Sequence, residues 1–368
     1  MKKKLSLVLS IALSLSLILS ACGGNSGSSS GGTPSTTAPE TTAPSTTEPT
    51  GGDTEITGSY TIRLGTPTGG KHQQNMTMEE FKTRIEEASG GAITVNLIPA
   101  GTLGAEKEAV QLLQMGDIDM LPLSIDGLDF GTTDVNVNWT SLPYLFDGFE
   151  EVDSEYNNGW MIERHREVAA EYGIDLIENL DNGFKSLIGT GPTPSSIKDL
   201  AGKIVRVPDI PIFHYYYEQL GLTTVAGIDQ YTGLQQGTMD CITNSPWAMN
   251  VFHLEEVADW VYVTAESWGT MYWTASLDWT SSLTDAQREI VYQAAKEAAQ
   301  YTRQEIRDTC ETYWDTCTAA GVEVVYPDEE SIAIMKNAAY NTWMGLEDEF
   351  DPVAMERLMA DYLPEEIS

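Results

Sequence analysis

The alternation of apolar and polar positions from Tyr60 onward divides the chain into short strands and amphipathic helices. Tyr60 to Gly65 predicts a strand, and Gln74 to Ser89 a helix with Phe81, Ile85 and Ala88 on one face, stopped by Gly90-Gly91. Ile93 to Ile98 predicts a strand ended by Pro99, Ala105 to Met115 a helix, and Ile118 to Leu123 a strand. Strands that alternate with helices imply an α/β layer with a mostly parallel sheet. Farther along, Lys203-Ile204-Val205-Arg206-Val207-Pro208 reads as a short strand ending at proline, and Ile210 to Leu220 as a helix broken at Gly221. Thr284-Asp285-Ala286-Gln287 opens a long helical segment that reaches about Ala320, with Ile290, Ala294, Ala298 and Tyr301 spaced to form one face. That helix is expected to be scaffold.

An internal echo points to two lobes. Leu113-Gln114-Met115-Gly116-Asp117-Ile118-Asp119 and Leu234-Gln235-Gln236-Gly237-Thr238-Met239-Asp240 both read L-x-x-G-x-x-D, as a helix end, a glycine in the left-handed cap position and an entering strand. Such junctions are common, so the repeat alone is weak. The roughly 310 residues from Ser59 onward are long for one core and comfortable for two.

The chain's beginning differs from the rest. Lys2, Lys3 and Lys4 precede an apolar stretch from Leu5 to Leu19, and Leu19-Ser20-Ala21-Cys22 closes it with small residues before a cysteine. Residues 1–21 therefore read as a signal peptide; the run is shorter than the roughly 18 to 20 apolar residues of a membrane span. From Gly23 to Gly58 the composition is Gly, Ser, Thr and Pro with little to bury, which predicts a flexible tether with an r.m.s. reach of about 30 Å. Gly27-Ser28-Ser29-Ser30-Gly31 matches the nucleophile elbow only in letters, because that motif needs a strand before it and a helix after it.

Composition narrows the partners. Lys and Arg number 20 against 55 Asp and Glu, a net charge of 20 − 55 = −35, which opposes nucleic acid and anionic lipid. It would also repel an anionic solute, but at physiological salt the screening length is about 8 Å, so one cation in a cleft governs its own surroundings. Enzyme signals are absent: His72, His165, His214 and His253 show no metal-like spacing, Asp126-Gly127-Leu128-Asp129 lacks the ligands of a calcium loop, and no Walker or dinucleotide fingerprint occurs. Apart from Cys22, the cysteines are Cys241, Cys310 and Cys317. Cys310 and Cys317 would lie roughly 10 Å apart in a continuous helix, too far to bridge; all three are expected to be free.

Arg206 offers a rigid fork of donors that fits a carboxylate. It opens a series: Arg206-Val207-Pro208, a helix, Tyr231-Thr232-Gly233-Leu234-Gln235-Gln236-Gly237-Thr238-Met239-Asp240, and the turn Asn244-Ser245-Pro246-Trp247. From about Tyr60 into the C-terminal helices this order resembles the solute-binding subunits of tripartite ATP-independent periplasmic (TRAP) transporters, the DctP-like proteins. The Leu-Ser-Ala-Cys tetrad likewise resembles a bacterial lipobox, implying cleavage before Cys22 and lipid on its sulfur.

The resemblance implies a two-lobed α/β fold of the type II periplasmic-binding kind, with a cleft between the lobes and a long C-terminal connecting helix. Lobe I would comprise 59–182 and 270–308, lobe II 183–269 and 309–368, after a lipidated tether at 22–58. It implies an extracytoplasmic protein, lipid-anchored to the outer face of the cell membrane. Such a protein captures a small organic acid and hands it to TRAP permease subunits in the membrane. No catalytic residue, cofactor or metal is implied, the last because Thr243 and Asn244 stand where metal-using members carry an acid.

Arg206 matches the arginine that pairs with the solute carboxylate; its alternative is a structural ion pair. Asn244 matches the asparagine that completes the carboxylate's hydrogen bonds, or is an ordinary turn residue. Lys185, in Asn182-Gly183-Phe184-Lys185, falls where many members carry a second arginine, keeping the charge without the fork. Trp247 either walls the cleft or belongs to the core. Gly221 to Tyr231 is slightly shorter than in relatives, so a residue that often stacks on the ligand cannot be placed. Two other functional classes remain: a secreted hydrolase with a cryptic carboxylate pair, and a cell-surface adhesion module on a Thr/Pro stalk.

Overall fold

Eleven strands form two sheets in a computed structural model, which describes residues 59–67, 69, 72–132 and 136–363. The signal peptide, Cys22 and the tether lie outside the described residues. In chain order the strands are β1 Tyr60–Gly65, β2 Ile93–Ile98, β3 Met120–Leu123, β4 Ile174–Asn179, β5 Gly183–Gly189, β6 Ile204–Arg206, β7 Thr223–Val225, β8 Cys241–Asn244, β9 Trp260–Gly269, β10 Tyr272–Ser276 and β11 Glu323–Val325. The first sheet is ordered β2-β1-β3-β10-β4 and the second β11-β9-β5-β8-β6-β7.

This is the two-lobed, type II-like α/β fold. Its sheets are mostly parallel, but each contains one antiparallel strand: β10 runs against β3 and β4, and β5 runs against β8 and β9. Both are entered by a chain arriving from the other sheet, as is β11, which nevertheless runs parallel to β9.

The L-x-x-G-x-x-D echo has a structural counterpart. Gly116 and Gly237 both take positive φ, 74° and 66°, at the end of a helix. Asp119 N–H donates to Arg63 O at 2.9 Å while its carboxylate accepts from Arg63 N at 2.6 Å. Asp240 repeats the pair on Ile204, with its N–H to Ile204 O at 2.9 Å and its Oδ2 accepting from Ile204 N at 2.8 Å. The strand orders β2-β1-β3 and β7-β6-β8 match as well, so Arg206 occupies in the second sheet the place of Gly65 in the first.

The helix Asp285–Ala320 joins both lobes. Thr284 and Gln287 cap its start reciprocally, and Gly321 ends it at φ 91°. Val291, Ala294, Ala295, Ala298 and Ala299 pack with Ile62, Phe81 and Trp273 of the first lobe, whereas Tyr313 and Cys317 pack with Ile188, Ile242 and Val261 of the second. Tyr301, expected on the packed face, is 40% exposed; the buried stripe runs one residue off, through Thr302. Ala88 is exposed for the same kind of reason, the buried face of its helix being Thr77, Met78, Phe81 and Ile85. Cys241, Cys310 and Cys317 are free and buried. The last described helix, Pro352–Asp361, follows Asp351, which pairs with Arg164 on the helix Trp160–Glu171. Among the described residues no helix is long and apolar enough to cross a membrane.

His165 is a core residue with a measurable signature. Fully buried, it donates from Nε2 to Val137 O at 3.0 Å and accepts at Nδ1 from the Tyr156 hydroxyl at 2.7 Å. Burial lowers its pKa to about 4. A histidine depressed in the folded state takes up its proton first in the unfolded chain, so stability falls as pH drops from about 6.5 to about 4, by on the order of 3 kcal/mol. Denaturant midpoints followed across that window should fall more steeply in the parent than in His165→Gln. Parallel pH profiles would contradict the assignment.

Candidate functional site

Arg206 ends β6 and Asn244 ends β8, while β5, running the other way, begins at Gly183. Arg206, Asn244 and Lys185 therefore meet at one edge of the second sheet, the edge beyond the carboxyl ends of its parallel strands, where open α/β sheets bind ligands. Register refines this. Arg206 pairs with Ile242, and Asn244 with Ser186. Since side chains alternate along a strand, Arg206, Ile242, Asn244 and Ser186 share one face. Lys185 falls on the other. It is 5% exposed, with its ammonium 5.5 Å from the centre of the Phe213 ring, under the helix Pro211–Gln219.

Arg206 is half-buried and faces the start of the helix Gln230–Gln236. Asp229 caps that helix by accepting from Thr232 N at 2.9 Å; this hydrogen bond, with the nearby Arg206 charge as a smaller cause, holds its carboxyl below the usual range. Asn244 donates from Nδ2 to Gln230 Oε1 at 3.0 Å and accepts at Oδ1 from Ser245 N at 2.9 Å. A guanidinium beside an amide on one face offers planar donors for a carboxylate.

Trp247 stands on the helix Pro246–Val251, packed against Ile306 and Cys310 of the long helix. Its indole Nε1–H donates to Gln73 Oε1 at 2.8 Å. Gln73, the first residue of the helix Gln73–Ala88 in the other lobe, donates in turn to Asn182 Oδ1 at 2.8 Å, and Ser245 Oγ lies 3.4 Å from the same oxygen. Trp247 thus joins the lobes. Sequence reasoning missed Gln73 and Asn182 as members of this region, although Asn182 opens the Asn-Gly-Phe-Lys run. His72, just before Gln73, has a buried Nδ1 with no hydrogen-bond partner, and burial lowers its pKa to about 4, so it is neutral at pH 7.

Glu266 is a buried carboxylate one residue from Ser267, the β9 partner of Lys185. It follows Ala265, which has φ 46°, in a stretch of β9 that bulges between the Leu187–Tyr262 and Lys185–Ser267 pairs. It accepts from Tyr217 Oη at 2.5 Å, Thr243 Oγ1 at 2.7 Å and the Thr264 hydroxyl. Burial raises its pKa against the pull of those donors. Among the described residues no group of three or more His, Cys, Asp or Glu side chains is placed to hold a metal. A groove of about 610 Å³ lies elsewhere, lined by residues that include Arg166, Asp175, Glu178 and Tyr292 on the first lobe. Arg166 there is already committed to Leu176 O, Ile177 O and Glu163, and Lys296 shares the lining with Asp175, Glu178 and Glu289, so the groove is net acidic and a poor anion site.

Residues 64–348 match the family model described as "Bacterial extracellular solute-binding protein, family 7", DctP. A protein named YiiZ from Salmonella typhimurium is 31% identical over 177 residues, covering 48% of this chain and 54% of that relative, so the chain matches about half its length. Among solved structures, a TRAP periplasmic solute-binding protein from Sulfitobacter with bound β-D-galacturonate is 21% identical and gives a TM-score of 0.71, covering 81% of this chain and 98% of the other. The sugar acid binding protein DctPAm from Advenella mimigardefordensis, in complex with galactonate, is 18% identical at a TM-score of 0.73, covering 82% and 97%. At such identities the likeness shows the fold.

Proposed function

Since the chain belongs to the DctP family of bacterial extracellular solute-binding proteins, we propose that it captures a small organic acid between its lobes. Arg206 clamps the solute carboxylate, and Asn244 completes its hydrogen bonds. The observation that carries this reading is that Arg206 and Asn244 end two adjacent parallel strands on one face of the sheet. Lys185, on the opposite face, contributes its charge to the same edge, and Trp247 closes the base against Gln73. The lobes are read as 59–182 with 270–308, and 183–269 with 309–368, the terminal helix reaching back to lobe I through Asp351. Lipid on Cys22 and the tether hold the receptor at the outer membrane face, from which it delivers solute to TRAP permease subunits. Family members are solute-binding proteins, and neither an enzyme role nor a cofactor or metal is part of the reading.

A thermal-shift panel of organic acids tests it. A ligand bound only by the folded state adds about 2.7 kcal/mol at a hundredfold excess over Kd. At least one dicarboxylate, 2-oxo acid, sugar acid or aromatic acid should raise the melting temperature by several degrees. Turnover of a panel compound would favour the hydrolase reading, and indifference to all of them would contradict capture.

A further inference from the structure

Three chain segments cross between the two sheets. The chain passes from β4 to β5 through residues 180–182 and from β9 to β10 through Thr270 and Met271. These crossings are bonded to each other: Leu180 N–H donates to Met271 O and Asn182 N–H to Gly269 O, both at 2.8 Å. The third link is the helix Asp285–Ala320, and between its two packed halves it carries Arg303 and Arg307, one turn apart. Arg303 reaches the end of β4 that leads into the first crossing, and Arg307 reaches the crossing itself. Arg303 Nη1 donates to Asn179 O at 2.6 Å and to Glu178 Oε2 at 3.2 Å. Arg307 Nε donates to Asp181 Oδ2 at 2.8 Å, and its Nη1 and Nη2 to the two oxygens of Asp153 at 2.7 and 2.8 Å. Its guanidinium also lies 4.6 Å from the centre of the Phe149 ring.

Asp181 is the residue these contacts fix. It is fully buried and has φ 57°, a left-handed conformation that L-residues other than glycine, asparagine and aspartate seldom adopt. A buried carboxylate persists only when paired and hydrogen-bonded. Asp181 has both: Arg307 on Oδ2, and on Oδ1 the Trp268 indole N–H at 2.9 Å and Asn179 Nδ2 at 3.3 Å. The next residue, Asn182, receives Gln73 of one lobe and neighbours Ser245 of the other, adjacent to Asn244. A left-handed residue held by a charge thus sets where Asn182 stands, and Asn182 touches both sides of the cleft.

We propose that Arg307 is a positioning residue for solute capture: by pinning Asp181 at the crossing, it fixes the hinge on which the lobes close and keeps Asn182 between Gln73 and Ser245. The consequence for capture rests on the receptor reading above; the hinge geometry does not. Arg307 touches no solute in this scheme. Its guanidinium acts through Asp181 alone, with Asp153 orienting the rest of the fork.

Amide hydrogen exchange on the purified protein tests this without any ligand. In Arg307→Gln the amides of Leu180 and Asn182 should exchange at least tenfold faster than in the parent, while those of Ile62 and Leu187 inside the two sheets keep their rates. Asp153→Asn, whose side chain is 44% exposed, should give a smaller acceleration at the same two amides, about threefold. Unchanged rates at Leu180 and Asn182, or acceleration spread evenly over both sheets, overturn the proposal. If Arg307→Gln is too unstable to measure, unchanged exchange in Asp153→Asn overturns it alone. A second arm uses β-D-galacturonate and galactonate as probes: if either binds the parent, its dissociation rate should rise about tenfold in Arg307→Gln, and an equal rate overturns the link to capture. Should neither bind, the receptor reading loses those two acids, while the exchange arm still decides the hinge.

Discussion

Arg206→Ala is expected to weaken binding of the cognate acid at least thirtyfold. Losing one partner of a desolvated charge pair costs roughly 2 to 5 kcal/mol, because the other charge stays buried and unpaired, and thirtyfold corresponds to about 2 kcal/mol. Arg206→Lys separates geometry from charge. Lysine restores the cation without the planar fork, so calorimetric titration should show only partial recovery. Arg206 is half-buried at a strand end and not in the packed core, so both variants should keep the parent's melting temperature within a few degrees. A variant that binds as tightly as the parent, or a ligand-free protein that unfolds on losing Arg206, would make the arginine a structural ion-pair partner.

The largest effect on stability is expected at Arg164. Its Nε and Nη2 donate to the two oxygens of Asp351 at 2.7 and 2.9 Å, and Asp351 is 1% exposed. Arg164→Ala leaves that carboxylate buried without its counter-charge, a change that typically costs 3 to 5 kcal/mol. Denaturant unfolding should register the loss, and Arg164→Ala/Asp351→Asn should recover part of it, because asparagine removes the stranded charge yet still accepts from Val353 N in the cap. Solute affinity should not move in either protein. A double variant no more stable than Arg164→Ala would show that the loss comes from packing of the arginine stem.

Local order was legible because local forces set it. Strands β1 and β2 begin and end where the apolar pattern places them, and the long helix starts one residue after its capping threonine. Strand β3 is shorter than its apolar run, since Ile118 and Asp119 belong to the turn in which Asp119 takes hold of Arg63. The reversed direction of β5 and β10 was not legible, because no local pattern in either strand encodes which way its neighbours run. The same holds for the site. Arg206 and Asn244 lie in one contiguous stretch whose order carried the resemblance, whereas Gln73 comes to Trp247 from 174 residues away and to Asn182 from 109. No periodicity spans such distances. Lys185 illustrates the intermediate case, since its charge and strand were readable but its face required the pairing of Ser186 with Asn244.

The central claim is that this family member holds a carboxylate with Arg206. The most direct test titrates the parent with the acid that the thermal-shift panel selects and, side by side, with the primary amide of that acid, which keeps the shape and removes the charge. Tight binding of the acid and at least thirtyfold weaker binding of the amide is the predicted result; equal affinities would contradict a carboxylate clamp.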